Sequence, residues 1–261
     1  MRPKKRLGQH FLIDRRALER IAELAVARAS ERVVEIGAGT GALTSALLAR
    51  GARLLALEVD PELCALLRER EDLRAAEFVC ADALTFDYRA ALGDEPWTAA
   101  GNLPYNVATP LLGRWLDDPR GPQRVVATVQ RDVAERLIAV PGSPSFGSLS
   151  LLVAYRARAR RALVLGASAF HPRPRVASAV VVLERRATPA VAVADEPFFL
   201  QVVRAGFAYR RKTLANSLAL ALGIERARTQ AILAALFLDT EIRAEQLGLD
   251  GFAALSDRLA A

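Results

Sequence analysis

Residues 101–105, Gly-Asn-Leu-Pro-Tyr, follow the short apolar stretch WTAA and put an amide, a rigid turn and an aromatic ring at the end of an expected strand. Asn and Pro disfavour a strand interior, and a Tyr facing solvent on a loop calls for a ligand. Upstream, EIGAGTGAL at 35–43 sets Gly37, Gly39 and Gly41 between an apolar run and a helical pattern, so the backbone can approach a ligand closely. About twenty residues beyond Gly37, Glu58 ends the next apolar run, where a carboxylate accepts hydrogen bonds from both hydroxyls of a ribose. Asp82 ends the third run, in CADAL, as a candidate acceptor for an adenine amino group and equally as an ordinary helix cap. Gly37-x-Gly39-x-x-Ala42 also satisfies the dinucleotide fingerprint, so these features admit either a dinucleotide or S-adenosylmethionine.

The elements that must position these residues are legible as far as about residue 135. RVVEI (32–36), RLLALEV (53–59), EFVCA (77–81), WTAAG (97–101) and RVVATV (124–129) read as buried strands, with helical patterns at 42–50 and 61–70 between the first three. That alternation predicts an α/β fold with a parallel sheet. LSLLVAYRARARRALVL (149–165) and VASAVVVLE (176–184) read as further strands. TPAVAVADEP, from 188, reads as a linker, followed by helices from near Asp195. The expected domains are therefore residues 1–188, catalytic with an N-terminal arm, and 189–261, smaller and all helical.

The chain has 261 residues, 52% hydrophobic and 25% charged, enough for a substantial core. Its net charge of +7 points to an anionic partner, nucleic acid first, and all but three of its 36 cations are arginines, which suit phosphate contacts. Cys64 and Cys80 lack metal-ligand spacing and are expected as reduced core thiols, and no metal is expected. The basic start leads only into FLI, and no apolar run nears the ~20 residues that span a bilayer, so a soluble cytoplasmic protein without membrane partners is expected.

The strand-ending Asn-Leu-Pro-Tyr separates the two cofactor readings. It resembles the [Asn/Asp/Ser]-Pro-Pro-Tyr-type motif of methyltransferases that modify exocyclic amino groups of bases, for which a nicotinamide-dependent oxidoreductase has no use. An adenine N6 amine is a poor nucleophile because its lone pair is delocalised into the ring. The Asn102 oxygen and a main-chain carbonyl of the Leu103–Pro104 turn can accept its two N–H bonds and free that lone pair for in-line attack on a sulfonium methyl group. Pro104 fixes the turn, and Tyr105 offers a face for an extruded base.

Beyond that motif, KKRLGQHFLID (4–14), VEIGAGTGALT (34–44), LEVD (57–60), DAL (82–84), GNLPYNVATPLL (101–112), VQRDVAERL (129–137), SAFHPRPRVASAVV (168–181) and RRKTLANSL (210–218) resemble the ribosomal RNA adenine N6,N6-dimethyltransferases of the KsgA type over nearly the whole chain. The resemblance implies a Rossmann-like S-adenosylmethionine-dependent methyltransferase sheet with a helical C-terminal domain. It places cofactor contacts on His10, Leu12, Gly37, Glu58, Asp82 and Asn102. His10 stands where the family often has Asn, so its main chain is the expected contact. Two adjacent adenosines in the 3′-terminal hairpin of small-subunit rRNA, within an immature ribosomal subunit, are the implied substrate. RLGQHFLID and SAFHPRPRVASAVV look more like this branch than the antibiotic-resistance branch, which dimethylates one adenosine of large-subunit rRNA. An assembly factor acting mainly by binding is the reading from another class.

The resemblance also suggests Phe170 as a second aromatic wall opposite Tyr105, and His171 is given no catalytic role, because the product ammonium loses its proton unaided. Lys4, Lys5 and Arg6 in the arm are expected at phosphates, as are Arg210, Arg211 and Lys212 at the start of a C-terminal helix. Arg156, Arg158, Arg160 and Arg161 form a further basic run, its first three members on one face of a strand. The protein is expected to be monomeric.

Overall fold

The computed structural model describes residue 4 and residues 8–260. In chain order the elements are β1 (Phe11–Leu12), α1 (Arg15–Ala25), β2 (Arg32–Ile36), α2 (Ala42–Ala49), β3 (Arg53–Glu58), α3 (Pro61–Arg68), β4 (Glu77–Cys80), α4 (Tyr88–Leu92), β5 (Thr98–Asn102), α5 (Tyr105–Asp117), β6 (Arg124–Gln130), α6 (Arg131–Leu137), α7 (Ser148–Arg156), β7 (Ala157–Leu165), β8 (Phe170–His171), β9 (Ser178–Arg185), α8 (Glu196–Ala208), α9 (Leu214–Leu222), α10 (Arg226–Ala235) and α11 (Leu249–Ala260).

Seven strands form one sheet in the order β4-β3-β2-β5-β6-β9-β7. The pairs from β4 to β6 are parallel and β9 runs antiparallel to β6. This is a Rossmann-like sheet, and its apolar strands follow from burial of a parallel sheet. The order reverses between β2 and β5, so the chain ends of these two strands open the crevice where such sheets bind ligands. Gly37 follows β2 and Asn102 ends β5.

Local sequence explains where the flanking helices begin. Asp14 caps α1 by accepting from the Ala17 amide at 3.0 Å, and Leu18, Ile21, Ala22 and Ala25 then repeat on one buried face. Leu18 and Ile21 each contribute about 1.5–3 kcal/mol by leaving water. They join Val33, Leu54, Ala100, Val126, Val180 and Val182 of the sheet in the main core. Asp60 caps α3, with Pro61 in the first turn, and Asp195 caps α8.

The chain divides into two compact units, residues 1–134 with 159–185, and residues 135–158 with 186–261. Residues 135–158 therefore belong with the helical C-terminal stretch, whereas the sequence assigned them to the catalytic domain. Phe146, Leu151 and Tyr155 share a core with Phe199, Val202, Leu218 and Phe252, and the Tyr155 and Phe199 rings lie 4.9 Å apart. The expected strand over 149–165 is corrected for the same reason. Leu151 and Tyr155, four apart, occupy one face of α7, and only from Ala157 does the chain become strand.

Cys64 and Cys80 are also corrected. They are joined in a disulfide, with Cα atoms 5.8 Å apart, and Cys80 is exposed. Parallel pairing sets Cys80 beside Glu58, and α3, which starts three residues after Glu58, folds back over the end of β4. A thiol in α3 thus meets one in β4, which the sequence separation of 16 concealed. None of the described helices is long and apolar enough to cross a membrane.

Candidate active site

Carboxyl ends of β2, β3, β4 and β5, with the chain leading into β1, surround a cavity of about 750 Å³ including its solvent-filled mouth. Gln9, His10, Gly37, Gly39, Glu58, Asp82, Asn102, Leu103 and Pro104 are among the residues lining it. The structure thus brings together most of the expected contact residues. Leu12 is the exception, buried in the core and lining a smaller cavity behind Gly37 and Glu35.

Glu58 is held by three main-chain amides. Its Oε1 accepts from Val59 and Asp60, each at 2.9 Å, and its Oε2 accepts from Gly39 at 2.8 Å. A carboxylate oxygen accepts about two hydrogen bonds, so Oε2 retains one acceptor site for a hydroxyl. Gly37 has φ +72°, a backbone conformation that strains any other L residue, although a Cβ there would make only an ordinary contact with the Asn102 carbonyl oxygen at 3.9 Å. At Gly39, with φ +59°, a Cβ would press against the Phe11 ring at 3.1 Å, so the arm packs directly on the glycine turn. Asp82 does cap its turn, Oδ1 accepting from the Leu84 amide at 2.9 Å, yet it also lines the cavity. Both readings of Asp82 therefore hold at once. One hydroxyl acceptor, one amine acceptor and a glycine cradle fit a nucleoside cofactor.

Asn102 is oriented by the arm. Its Nδ2 donates to the His10 carbonyl at 2.6 Å, which leaves Oδ1 as the acceptor of the amide. The His10 ring is fixed in turn at 2.8 Å from the Pro172 carbonyl, and because a carbonyl only accepts, Nδ1 carries the proton. β1 pairs antiparallel with β8, matching Phe11 to His171 and Leu12 to Phe170. The Pro104 carbonyl is occupied by the Val107 and Ala108 amides at 2.9 and 3.0 Å, as the cap of α5. Among the described residues no donor outside helix and strand ladders takes the Leu103 carbonyl, and the Leu103 amide is pinned to the Thr128 carbonyl at 3.0 Å.

Several expected contacts are placed differently. Phe170 is only 2% exposed and packs in the main core with Leu12 and Leu18, so its ring is not presented at the cavity. Pairing of β8 with β1 turns it inward, where an apolar ring gains most by burial. Lys4 is bound to protein carboxylates, 2.7 Å from Asp60 Oδ1 and 2.9 Å from Glu62 Oε1. Asp60 is fully buried, and Gln9 Nε2 reaches its other oxygen at 2.9 Å. Against the burial that pushes the other way, these bonds hold the Asp60 carboxyl below its usual range, and Lys4 is raised in return by Asp60 and Glu62. A buried carboxylate needs a cation, and Lys4 supplies it by tying down the arm.

Lys5 and Arg6 lie outside the described residues, as does the side chain of Tyr105, whose backbone opens α5. Arg210, Arg211 and Lys212 are exposed, in the turn before α9 rather than at its start. Arg156 ends α7 and pairs with Glu196 at 2.5 Å, leaving Arg158 and Arg160 on β7. Among the described residues no cluster of His, Cys, Asp or Glu could hold a metal.

Glu35 has no assigned role in the sequence although it opens the glycine motif. It is 1% exposed in β2, with the Thr44 hydroxyl 2.6 Å from Oε2. Burial, reinforced by the charge of Glu58, pushes its carboxyl up to about 8. An acid inside the apolar run VVEI was the available signal. The unfolded chain loses this proton near 4.5 and the folded chain near 8, so the Glu35 contribution to stability declines as pH rises between those values. Glu35→Gln is expected to remove that component, and urea unfolding of both proteins from pH 5 to 8 measures it. Parallel pH profiles would show that Glu35 titrates alike in both states.

The family model described as ribosomal RNA adenine dimethylase matches residues 1–260. Ribosomal RNA small subunit methyltransferase A of Geobacter sulfurreducens is 42% identical over 100% of this chain and 96% of its own length. The protein of the same name from Anaeromyxobacter sp. is 43% identical over 99% and 94%. Among solved structures, a dimethyladenosine transferase from Plasmodium falciparum aligns with TM-score 0.76 and 21% identity, covering 94% of this chain and 96% of that one. The 23S rRNA methyltransferase ErmE gives TM-score 0.71 and 25% identity, with 96% and 100% covered. A cavity fitted to a nucleoside cofactor beside an oriented Asn102, in a chain matched from end to end, has one consistent explanation: the chain belongs to the ribosomal RNA adenine dimethylase family, enzymes that take their methyl groups from S-adenosylmethionine.

Proposed function

We propose that the chain dimethylates N6 of two adjacent adenosines in the 3′-terminal hairpin of small-subunit rRNA, acting as a cytoplasmic monomer on an immature subunit. The observation that supports this most is the Asn102 amide, anchored through Nδ2 to the His10 carbonyl at 2.6 Å so that Oδ1 is the acceptor. S-adenosylmethionine, when bound, supplies a methyl group on a positively charged sulfur. Asn102 Oδ1 and the Leu103 carbonyl take the two N–H bonds of the target amine, and their dipoles stabilise the positive charge that grows on nitrogen. Glu58 and Asp82 hold the ribose and adenine ends of the cofactor, and the arm at Gln9–Phe11 covers it. The Tyr105 ring stacks on the extruded base, while Phe170 supports the arm from below through its pairing with Leu12. The two relatives above that are named for the small subunit share 42% and 43% identity with this chain, against 25% for the large-subunit enzyme, which favours the small-subunit substrate.

Unmodified small and large subunits incubated with labelled S-adenosylmethionine test the proposal. Two adjacent dimethyladenosines in small-subunit rRNA are expected. A single dimethyladenosine in large-subunit rRNA would assign the chain to the other branch, and binding without methylation would make it an assembly factor.

Arg210, Arg211 and Lys212, with Lys5 and Arg6, are proposed phosphate contacts. Replacing Arg210, Arg211 and Lys212 with Ala is expected to weaken RNA binding and flatten its logarithmic salt dependence by about 0.7–0.9 per lost contact. Cofactor binding should not change. Titrations at several salt concentrations give the slope, and an unaltered slope would make the cluster a solvated surface.

A further inference from the structure

Arg114 lies in the third turn of α5, the helix whose first turn follows Asn102-Leu103-Pro104 and lends Val107 to the cavity wall. Its guanidinium reaches back to the turn after β4. Nη1 donates to the Ala83 carbonyl at 3.1 Å and the Leu84 carbonyl at 2.8 Å, and Nη2 donates to the Phe86 carbonyl at 2.8 Å. The same guanidinium sits 5.2 Å from the centre of the Tyr88 ring, and the Tyr88 hydroxyl adds a bond to the Ala83 carbonyl at 2.9 Å. Tyr88 is itself stacked on Trp97, with ring centres 5.1 Å apart.

The other side of this turn belongs to Asp82. Its side chain accepts from Leu84 at 2.9 Å, and its carbonyl accepts from Thr85 at 3.1 Å and Phe86 at 2.9 Å. The amides of the turn therefore converge on Asp82 while its carbonyls converge on Arg114. Carbonyl dipoles gathered at one point repel each other unless a cation faces them. A guanidinium can meet three with its planar fork, whereas an ammonium is a compact point charge.

We infer that Arg114 is a positioning residue that sets Asp82 against the purine of the cofactor, and so governs selection of a 6-amino over a 6-oxo purine. The inference rests on the proposed contact between Asp82 and the adenine amino group. A 6-amino group donates to the Asp82 carboxylate. A 6-oxo group presents an acceptor to it, and the pair repels.

Calorimetry with S-adenosylhomocysteine and S-inosylhomocysteine tests the inference without turnover. The wild-type protein is expected to prefer the adenosyl ligand by about tenfold or more, the scale of one hydrogen bond to a charged group. Asp82→Ala should bring the ratio near one. Arg114→Met should lower it to within about threefold of one, and Arg114→Lys should fall between Met and wild type. If Arg114 only supports the fold, both ligands weaken together and the ratio stays at the wild-type value. That result, with Asp82→Ala still flattening the ratio, overturns the inference and leaves the Asp82 contact standing. A wild-type ratio near one overturns the Asp82 contact and the inference with it. Should Arg114→Met fail to fold by circular dichroism, the Arg114→Lys ratio decides, a wild-type value again overturning the inference.

Discussion

Asn102→Ala is expected to slow methyl transfer by about 10²–10³-fold in single-turnover reactions with saturating S-adenosylmethionine and pre-formed small-subunit particles, by analogy with removing one preorganised hydrogen-bonding group from an oxyanion hole. The expected loss is large because the missing oxygen matters most while charge develops on the amine. The variant also loses the 2.6 Å bond to the His10 carbonyl, which costs the arm a tie and weakens the cofactor by about 0.5–1.5 kcal/mol. Saturating cofactor removes that second effect from the rate. Asn102→Asp separates the two further, because it keeps an acceptor and replaces the donor to His10 with an oxygen. A wild-type rate for Asn102→Ala once RNA is bound would mean that the turn shapes the pocket and does not activate the amine.

The second large effect is expected at Glu58. Glu58→Ala should weaken S-adenosylmethionine by about 1.5–3 kcal/mol, the range for hydrogen bonds to a charged group, with RNA affinity nearly intact. The same substitution leaves the Gly39, Val59 and Asp60 amides without their acceptor, so the thermal midpoint should fall as well. Glu58→Gln distinguishes the two roles, since it retains one oxygen for the amides but forfeits the charge. Calorimetry that finds cofactor affinity unchanged in Glu58→Ala would remove Glu58 from the ribose.

Strand positions and the residues at strand ends were legible in the sequence because a parallel sheet buries whole strands, and its crevice always lies at their carboxyl ends. Gly37, Glu58, Asp82 and Asn102 could be placed around one cavity by that rule alone. What escaped depends on contacts between residues far apart in the chain. Leu149, Leu151 and Val153 alternate like a strand, yet Leu151 and Tyr155 find a core only as helix neighbours. Lys4 has the same local signature as Lys5 and Arg6, and only the buried Asp60 sets it apart. Phe170 turns inward because β8 pairs with β1, and nothing near residue 170 announces a partner at residue 12. Arg114 meets main-chain carbonyls, which leave no trace in a pattern of side chains.

The helical unit draws Phe146, Leu151 and Tyr155 from a stretch of chain enclosed between two halves of the catalytic unit. Its gene segment is therefore not a cassette. A fragment ending at residue 188 would carry α7 with the aromatic face of Tyr155 bared, and a fragment starting there would lack the residues that fill its own interior. During synthesis α7 must wait for the last quarter of the chain before it has anything to pack against. Exchange of the helical unit between relatives calls for three splices, one on each side of residues 135–158 and one near residue 186. A single crossover in the linker would join two incomplete cores.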